Sequence, residues 1–258
     1  MPMTATGPRP ASKPTATPRG FIMTASGMDP TPLSGGPEAH RSYETAALRS
    51  DGSLLIGQNT APALPLFESA FNAFARGTAI RTVNGEVAVE DLQPGEMLRT
   101  TEGDAVKVIW IGSSTFVPAD TGKRVPLIRV MPDSFGQERP NAFLTLGPGA
   151  RILKTPHDLR GDSNGGPMLT PARRFVDGVN VIEVTPPTPV RLFHLCLERH
   201  ATFHAAGLAV ESFHPGTTAL RDLPRDLRDR FLSMFPQISE IGDFGPLAHT
   251  RPPEPEAG

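Results

Sequence analysis

The stretch Phe71–Leu98, "FNAFARGTAIRTVNGEVAVEDLQPGEML", decides how this chain is read. It places short apolar runs of strand type between strong turn signals. "TAIRTV" (78–83) meets Asn84-Gly85, a pair that tolerates the positive φ values of a two-residue hairpin. "EVAVEDL" then meets Pro94-Gly95, suited to a tight turn. "EMLRTT" meets "EGD", and "AVKVIWIGS" follows as a strand with Val106, Val108 and Trp110 on one side.

The same punctuation continues outward through "VPLIRV", "AFLTL", "ARILK", "VNVIEV", "VRLFHLCLE" and "ATFHAAGLAV". Many short strands with turns and no helical pattern between them predict an all-β sandwich or compact barrel-like body. One helix is expected near the end, where Leu223, Leu227, Phe231 and Met234 recur at helical spacing. Arg225, Asp226, Arg228, Asp229 and Arg230 fall mostly on its other face. This reads as a terminal helix packed on the β body.

Composition narrows the function classes. The 258 residues can bury one sizeable core, and a net charge of −2 leaves no basic footprint for nucleic acid. No apolar run reaches the roughly 18–20 residues of a membrane helix, so no membrane partner is expected. The start, "MPMTATGPRPASKPTATPRG", is broken by proline and glycine and holds no secretory apolar region, which makes cytoplasmic the default expectation. Cys196 is the sole cysteine, so no intrachain disulfide exists. Residues 1–40 carry 8 of the 29 prolines and only Phe21 as an aromatic, too little apolar surface to offset ordering entropy. A disordered segment is expected over 1–45, a linker over 46–72, and a disordered tail over 246–258.

Three separated blocks carry a resemblance. "AFARGTAIRTVNGEVAVEDLQPGEML" resembles the first block of the Hedgehog/intein (Hint) family, especially its bacterial branch: nucleophile, Phe, two residues, Gly-Thr, strand, turn, Val-Glu-Asp-Leu, Pro-Gly-Asp/Glu. "FLTLGPGARIL" sits where that family places a Thr-x-x-His or Ser-Pro-x-His motif. "LFHLCLERHATFHAAGLAVESF", Leu192–Phe213, is similar to the last block, and "FPQISEIGDFGPLA" resembles tails beside bacterial Hint domains. The resemblance covers residues 73–216 and implies the horseshoe-shaped all-β Hint architecture, with 217–245 as a C-terminal helical extension.

What the resemblance implies for chemistry is self-proteolysis; this chain departs from it at three required positions, while His194 falls where the family places its polar catalytic residue. The nucleophile that would attack the preceding carbonyl is matched by Ala73, which has no lone pair to offer. The middle-block histidine that would polarise the amide and protonate the leaving amine is matched by Ala150. The His-Asn that splicing needs, with its Ser, Thr or Cys acceptor, is matched by Glu211-Ser212 and then Phe213. Ser69 is the nearest upstream hydroxyl, and His157 lies seven residues past Ala150.

Thr78, His194, Cys196 and His200 complete the candidate catalytic set. On a strand, Phe193, Leu195 and Leu197 share one face, and His194, Cys196 and Glu198 the other. A His and a Cys at i, i+2 have the pattern of a base–nucleophile pair, although a lone cysteine in a β protein reads first as a small buried hydrophobe. His194, His200 and His204 lack a second cysteine or a close carboxylate, so no metal site is expected. Glu90 and Asp91 read as turn-capping or opposite-facing carboxylates, and Gly77-Thr78 as a close backbone approach. No P-loop or dinucleotide glycine pattern exists, and no cofactor is expected. The leading expectation is a Hint protein with a degenerate centre, acting as a scaffold or interaction module for a protein partner. The alternative is self-cleavage by a non-standard nucleophile, Cys196 or Ser69.

Overall fold

The computed structural model describes residues 40–117, 125–159, 166–216, 220 and 223–253. They belong to one unit spanning Glu38–Gly258. Residues 1–39 and 254–258 of the segments expected to be disordered lie outside the described residues, as does most of "RGDSNGG" after His157.

The sheet is built in chain order. β1 (His40–Leu48) and β2 (Leu54–Pro62) form an antiparallel hairpin, followed by a five-residue helix α1 (Pro65–Ser69) with proline in its first turn. Then come β3 (Phe74–Ala75), β4 (Ala79–Thr82), β5 (Gly85–Ala88), β6 (Met97–Arg99) and the long β7 (Ala105–Phe116). β8 (Leu127–Val130), β9 (Leu144–Leu146), β10 (Arg151–Leu153), β11 (Leu169–Pro171) and β12 (Val181–Val184) make up the middle of the chain. β13 (Val190–Leu197), β14 (Thr202–Ala205), β15 (Leu208–Glu211) and helix α2 (Arg225–Leu232) finish it. The main path of strand neighbours is β11-β10-β15-β14-β4-β6-β7-β13-β3-β9-β8-β12, with the β1–β2 hairpin added on β7 and β5 on β4. The path runs between two distinct end strands, so the all-β body is an open, curled sheet and not a closed barrel.

Several expectations shift by a residue or a face, each for a physical reason. The first hairpin turns through Val83-Asn84, because Thr82 pairs with Gly85 and its hydroxyl donates to the Gly85 carbonyl at 2.8 Å. "ATFHAAGLAV" is not one strand but the hairpin β14–β15, turned by Ala206 and Gly207 at φ 47 and 78. Residues 40–62 are not disordered or a linker. Asp51-Gly52 turns the hairpin, with the Asp51 carboxylate taking both N–H and O–H of Ser53. The tail is ordered through residue 253, anchored at Arg251.

Val106 and Val108 share a core, but Trp110 leaves it. Opposite them on β13, Cys196 pairs with Trp110 and Leu197 with Val108, so Ile109 is an extra residue, a bulge that reverses the facing of β7. Val106, Val108, Phe193, Leu195 and Leu197 pack in a first core with Phe74, Leu98, Phe203 and Val210. Trp110 and Cys196 enter a second core, with Tyr43, Phe67 and Phe71 from before β3 and Phe231, Phe235 and Phe244 from α2 and beyond. The Trp110 indole N–H donates to the Met234 carbonyl at 2.8 Å, and its ring stacks on Phe235 at 4.3 Å. A Cβ on Gly112 would sit 2.2 Å from Trp110 and 2.6 Å from Phe71, so only glycine lets these rings meet over β7. α2 buries Phe231 as its periodicity requires, and Arg230 reaches across to the Thr60 carbonyl of β2.

Candidate functional site

The three sequence blocks converge on one peptide bond, Asn72–Ala73. The Ala73 N–H donates to the Phe193 carbonyl at 3.0 Å, and the Ala73 carbonyl accepts from Gly147 N–H at 2.8 Å. The Asn72 carbonyl, the group that a nucleophile at position 73 would attack, accepts from Gly149 N–H at 2.9 Å. "GPGA" supplies this cradle because its glycines have no side chains. A Cβ at Gly147 would lie 2.2 Å from the Asn72 oxygen, and one at Gly149 would lie 2.3 Å from the Ser69 oxygen. The Asn72 carboxamide oxygen accepts from the Ser114 hydroxyl. Beside it a cleft of about 280 Å³ opens between Arg41, Glu44, Ser113, Ser114 and Arg191.

Ala73 and Ala150 are both fully buried, and each presents only a methyl group to this frame. The Ala150 N–H closes the turn onto the Gly147 carbonyl at 3.1 Å. The local backbone thus holds and polarises a carbonyl, while neither side chain is able to attack it or move a proton.

His194 joins this region through Ser69, whose carbonyl oxygen also faces Gly149. Its Nδ1 lies 2.9 Å from the Ser69 carbonyl, which only accepts, so Nδ1 carries the proton. Nε2 is therefore an unprotonated nitrogen, buried without a partner among the described residues. The ring meets Phe74 and Phe213 edge-on at 5.7 and 5.2 Å. Burial pushes its pKa down to about 4, with the Ser69 hydrogen bond opposing, so it is neutral at pH 7.

The other candidates lie apart from this point. Cys196 packs in the second core, and burial pushes its thiol up to about 12, so it stays protonated. The Ser69 hydroxyl is engaged with the Leu66 carbonyl at 2.9 Å. Thr78 closes a turn through its hydroxyl onto Ala75 O at 2.6 Å, and Glu90 caps that turn by accepting the Gly77 N–H at 2.7 Å. His157 is exposed. His194, His200 and His204 do not meet: among the described residues no three metal-binding side chains converge.

His200 belongs to a different buried cluster. Its Nδ1 accepts the Ala248 N–H at 2.8 Å, so the proton is on Nε2, which donates to Glu211 Oε1 at 3.0 Å. Arg251 also binds Oε1, at 2.7 Å from Nη2, and Arg151 lies 3.5 Å from Oε2. His214 Nε2 donates to the Gly245 carbonyl at 3.0 Å, and burial lowers its pKa to about 4.

Asn72, Ser114, His214 and Arg251 were not singled out by the sequence reading. The doubled glycine in "GPGA" was a legible sign that a backbone approaches closely there, but not of which backbone.

Comparison with known proteins identifies the family. A family model described as Hint domain matches residues 72–217. Among solved structures, the chain is similar to the crystal structure of the MchDnaB-1 intein, at 14% identity and a TM-score of 0.35, covering 55% of this chain and 100% of that one. It is also similar to the solution structure of a bacterial intein-like domain from Clostridium thermocellum, at 16% identity and a TM-score of 0.38, covering 55% and 99%. No curated protein matches the chain. With the matched segment spanning more than half of its length, this chain belongs to the Hint domain family, whose members include autoprocessing domains.

Proposed function

We propose that this Hint domain is non-catalytic and serves as a β scaffold or interaction module. One observation carries the reading: the segment before the Asn72–Ala73 bond is core, not cargo. Tyr43, Phe67 and Phe71 are fully buried, β1 pairs with β7 from Glu44 to Ala47, and Arg41 pairs with Glu68 at 2.6 Å. An acyl shift at the junction moves the preceding segment from the amide nitrogen onto a side-chain sulfur or oxygen, and attack on that ester by an outside nucleophile then detaches it. Here that segment forms part of the hydrophobic interior, and cutting the bond frees nothing without unfolding it.

The residue chemistry supports the same reading. Ala73 offers no nucleophile and Ala150 no acid. Splicing has no cyclising asparagine at Glu211-Ser212. Cys196 as a substitute nucleophile requires a thiolate that its burial opposes, on the second-core side of β13. The test is the intact mass of the full chain under denaturing conditions, with and without dithiothreitol or hydroxylamine, followed for days. A single unchanged mass is expected; a fragment pair broken at residue 72 would sink the proposal.

A further inference from the structure

The C-terminal segment after Phe244 is held differently from everything before it. Phe244 is the last residue of the second core. From Gly245 to Pro253 the chain has no helix or strand, and only Pro252 is buried. Its attachment is polar and specific. Ala248 N–H donates to His200 Nδ1 at 2.8 Å, and the Thr250 carbonyl accepts from Leu169 N–H of the β11 edge strand at 2.8 Å. Arg251 then turns inward: Nε and Nη2 reach Glu211 Oε1 at 3.1 and 2.7 Å, and Nη2 reaches the His214 carbonyl at 2.8 Å.

The receiving surface is shaped for this ligand. Glu211 is 3% exposed, a carboxylate aimed at the end of the groove. A Cβ on Gly216 would come within 2.9 Å of Arg251 Nη1, so a bare backbone there leaves room for the guanidinium. Without Arg251 the carboxylate keeps the His200 Nε2–H and Arg151, so the pocket does not depend on its occupant. A depression of about 380 Å³ alongside, lined by Gly166, Pro167 and Leu247–Thr250, leaves one flank of the segment open.

We propose that the groove formed by the β11 edge, His200, Glu211 and His214 is a peptide-recognition site for an extended segment whose arginine docks on the buried Glu211 carboxylate. Residues 245–253 occupy it in cis, and a partner segment of the same chemistry displaces them. The contacts take the backbone at Ala248 and Thr250 and the side chain of Arg251, so arginine is the residue that is read. An added segment takes its backbone bonds from a sheet edge and its specificity from one side-chain pocket. A guanidinium supplies the forked donors that a buried carboxylate and a carbonyl together require, which lysine does not. The cis tail competes at an effective concentration of about millimolar, so the free site is masked in the resting chain. The proposal rests on the interaction-module reading but is tested apart from it, since peptide binding and self-cleavage are read separately.

The experiment uses the full chain and a fluorescent peptide of residues 245–253, GPLAHTRPP, followed by anisotropy. Arg251→Ala in the protein loosens the cis tail, and saturable binding at least tenfold tighter than to the unaltered chain is expected. The same peptide with alanine for its arginine, or a protein also carrying Glu211→Gln, should lose at least tenfold. No saturable binding to a folded R251A protein, or equal binding of both peptides, overturns the proposal. Should R251A not fold, amide hydrogen exchange on the unaltered chain decides. Ala248 and Leu169 exchanging well before Leu195 supports local release of the tail. Exchange of all three at one rate overturns it.

Discussion

The two cores of this molecule differ in where their residues come from. Every buried residue of the first core lies within the matched span 72–217, and the core is mostly aliphatic, with Phe74, Phe193 and Phe203 as its aromatic members. Among its described buried residues the second core takes Trp110, Cys196 and Phe213 from that span, with the partly buried Ile109 packed against them. Its other members flank it on both sides, and it is dense in aromatic rings: Tyr43, Phe67, Phe71, Phe231, Phe235 and Phe244. The first core lies inside the family's matched span; the second joins that span to the chain on either side of it. Large rings suit such a junction, because each buries much apolar area with few residues to order.

Trp110→Ala breaks the second core at its centre and should have the largest effect. Loss of the ring, of its stack on Phe235 and of its bond to the Met234 carbonyl is expected to cost about 3–5 kcal/mol in urea unfolding followed by circular dichroism. Amides of β1, β2 and α2 should lose protection while those of β14 and β15 keep it. If the flanks loosen with no change in the global midpoint, the second core is an appendage and not part of one cooperative unit.

His194 lies between the cores, and its pH dependence sharpens the contrast. Its folded pKa of about 4 lies below the ordinary 6.5, so its contribution is present above pH 6.5 and lost as pH falls toward 4. The depression corresponds to about 3 kcal/mol over that window. His194→Asn keeps an amide donor at the Nδ1 position for the Ser69 carbonyl without the titration, and the slope of stability against pH between 6.5 and 4 should flatten. An unchanged slope would assign the acid sensitivity elsewhere, with His214 the next candidate.

Cys196 offers the gentlest probe. With its thiol pushed to about 12 by burial, the thiolate fraction falls by on the order of a thousandfold at pH 8, so labelling by a disulfide reagent should be far slower than for a free thiol. The same reagent on the Trp110→Ala protein should react faster, because Cys196 pairs across from Trp110. Fast labelling of the unaltered chain would mean that the second core opens readily.

Much of the first core was legible from local pattern. Asn84-Gly85, Pro94-Gly95 and the alternation along β13 announce turns and strands within a few residues of themselves. The hairpin β1–β2 was missed although Asp51-Gly52 marks its turn, since "HRSYETAAL" buries chiefly Tyr43 and small side chains and reads as polar. The bulge at Ile109 was illegible because it is a mismatch between two strands, and neither strand alone contains it.

By itself the sequence determined the all-β class, the family and the absence of a nucleophile at position 73, because these depend on residue type and short-range spacing. Only the tertiary structure decided that Gly149 holds the Asn72 carbonyl, that the chain before the junction is core, and that Arg251 ends in the Glu211 pocket. Those facts join residues dozens to hundreds of positions apart. Their energy comes from packing and from the cost of an unpaired buried charge, and neither leaves a period in the chain.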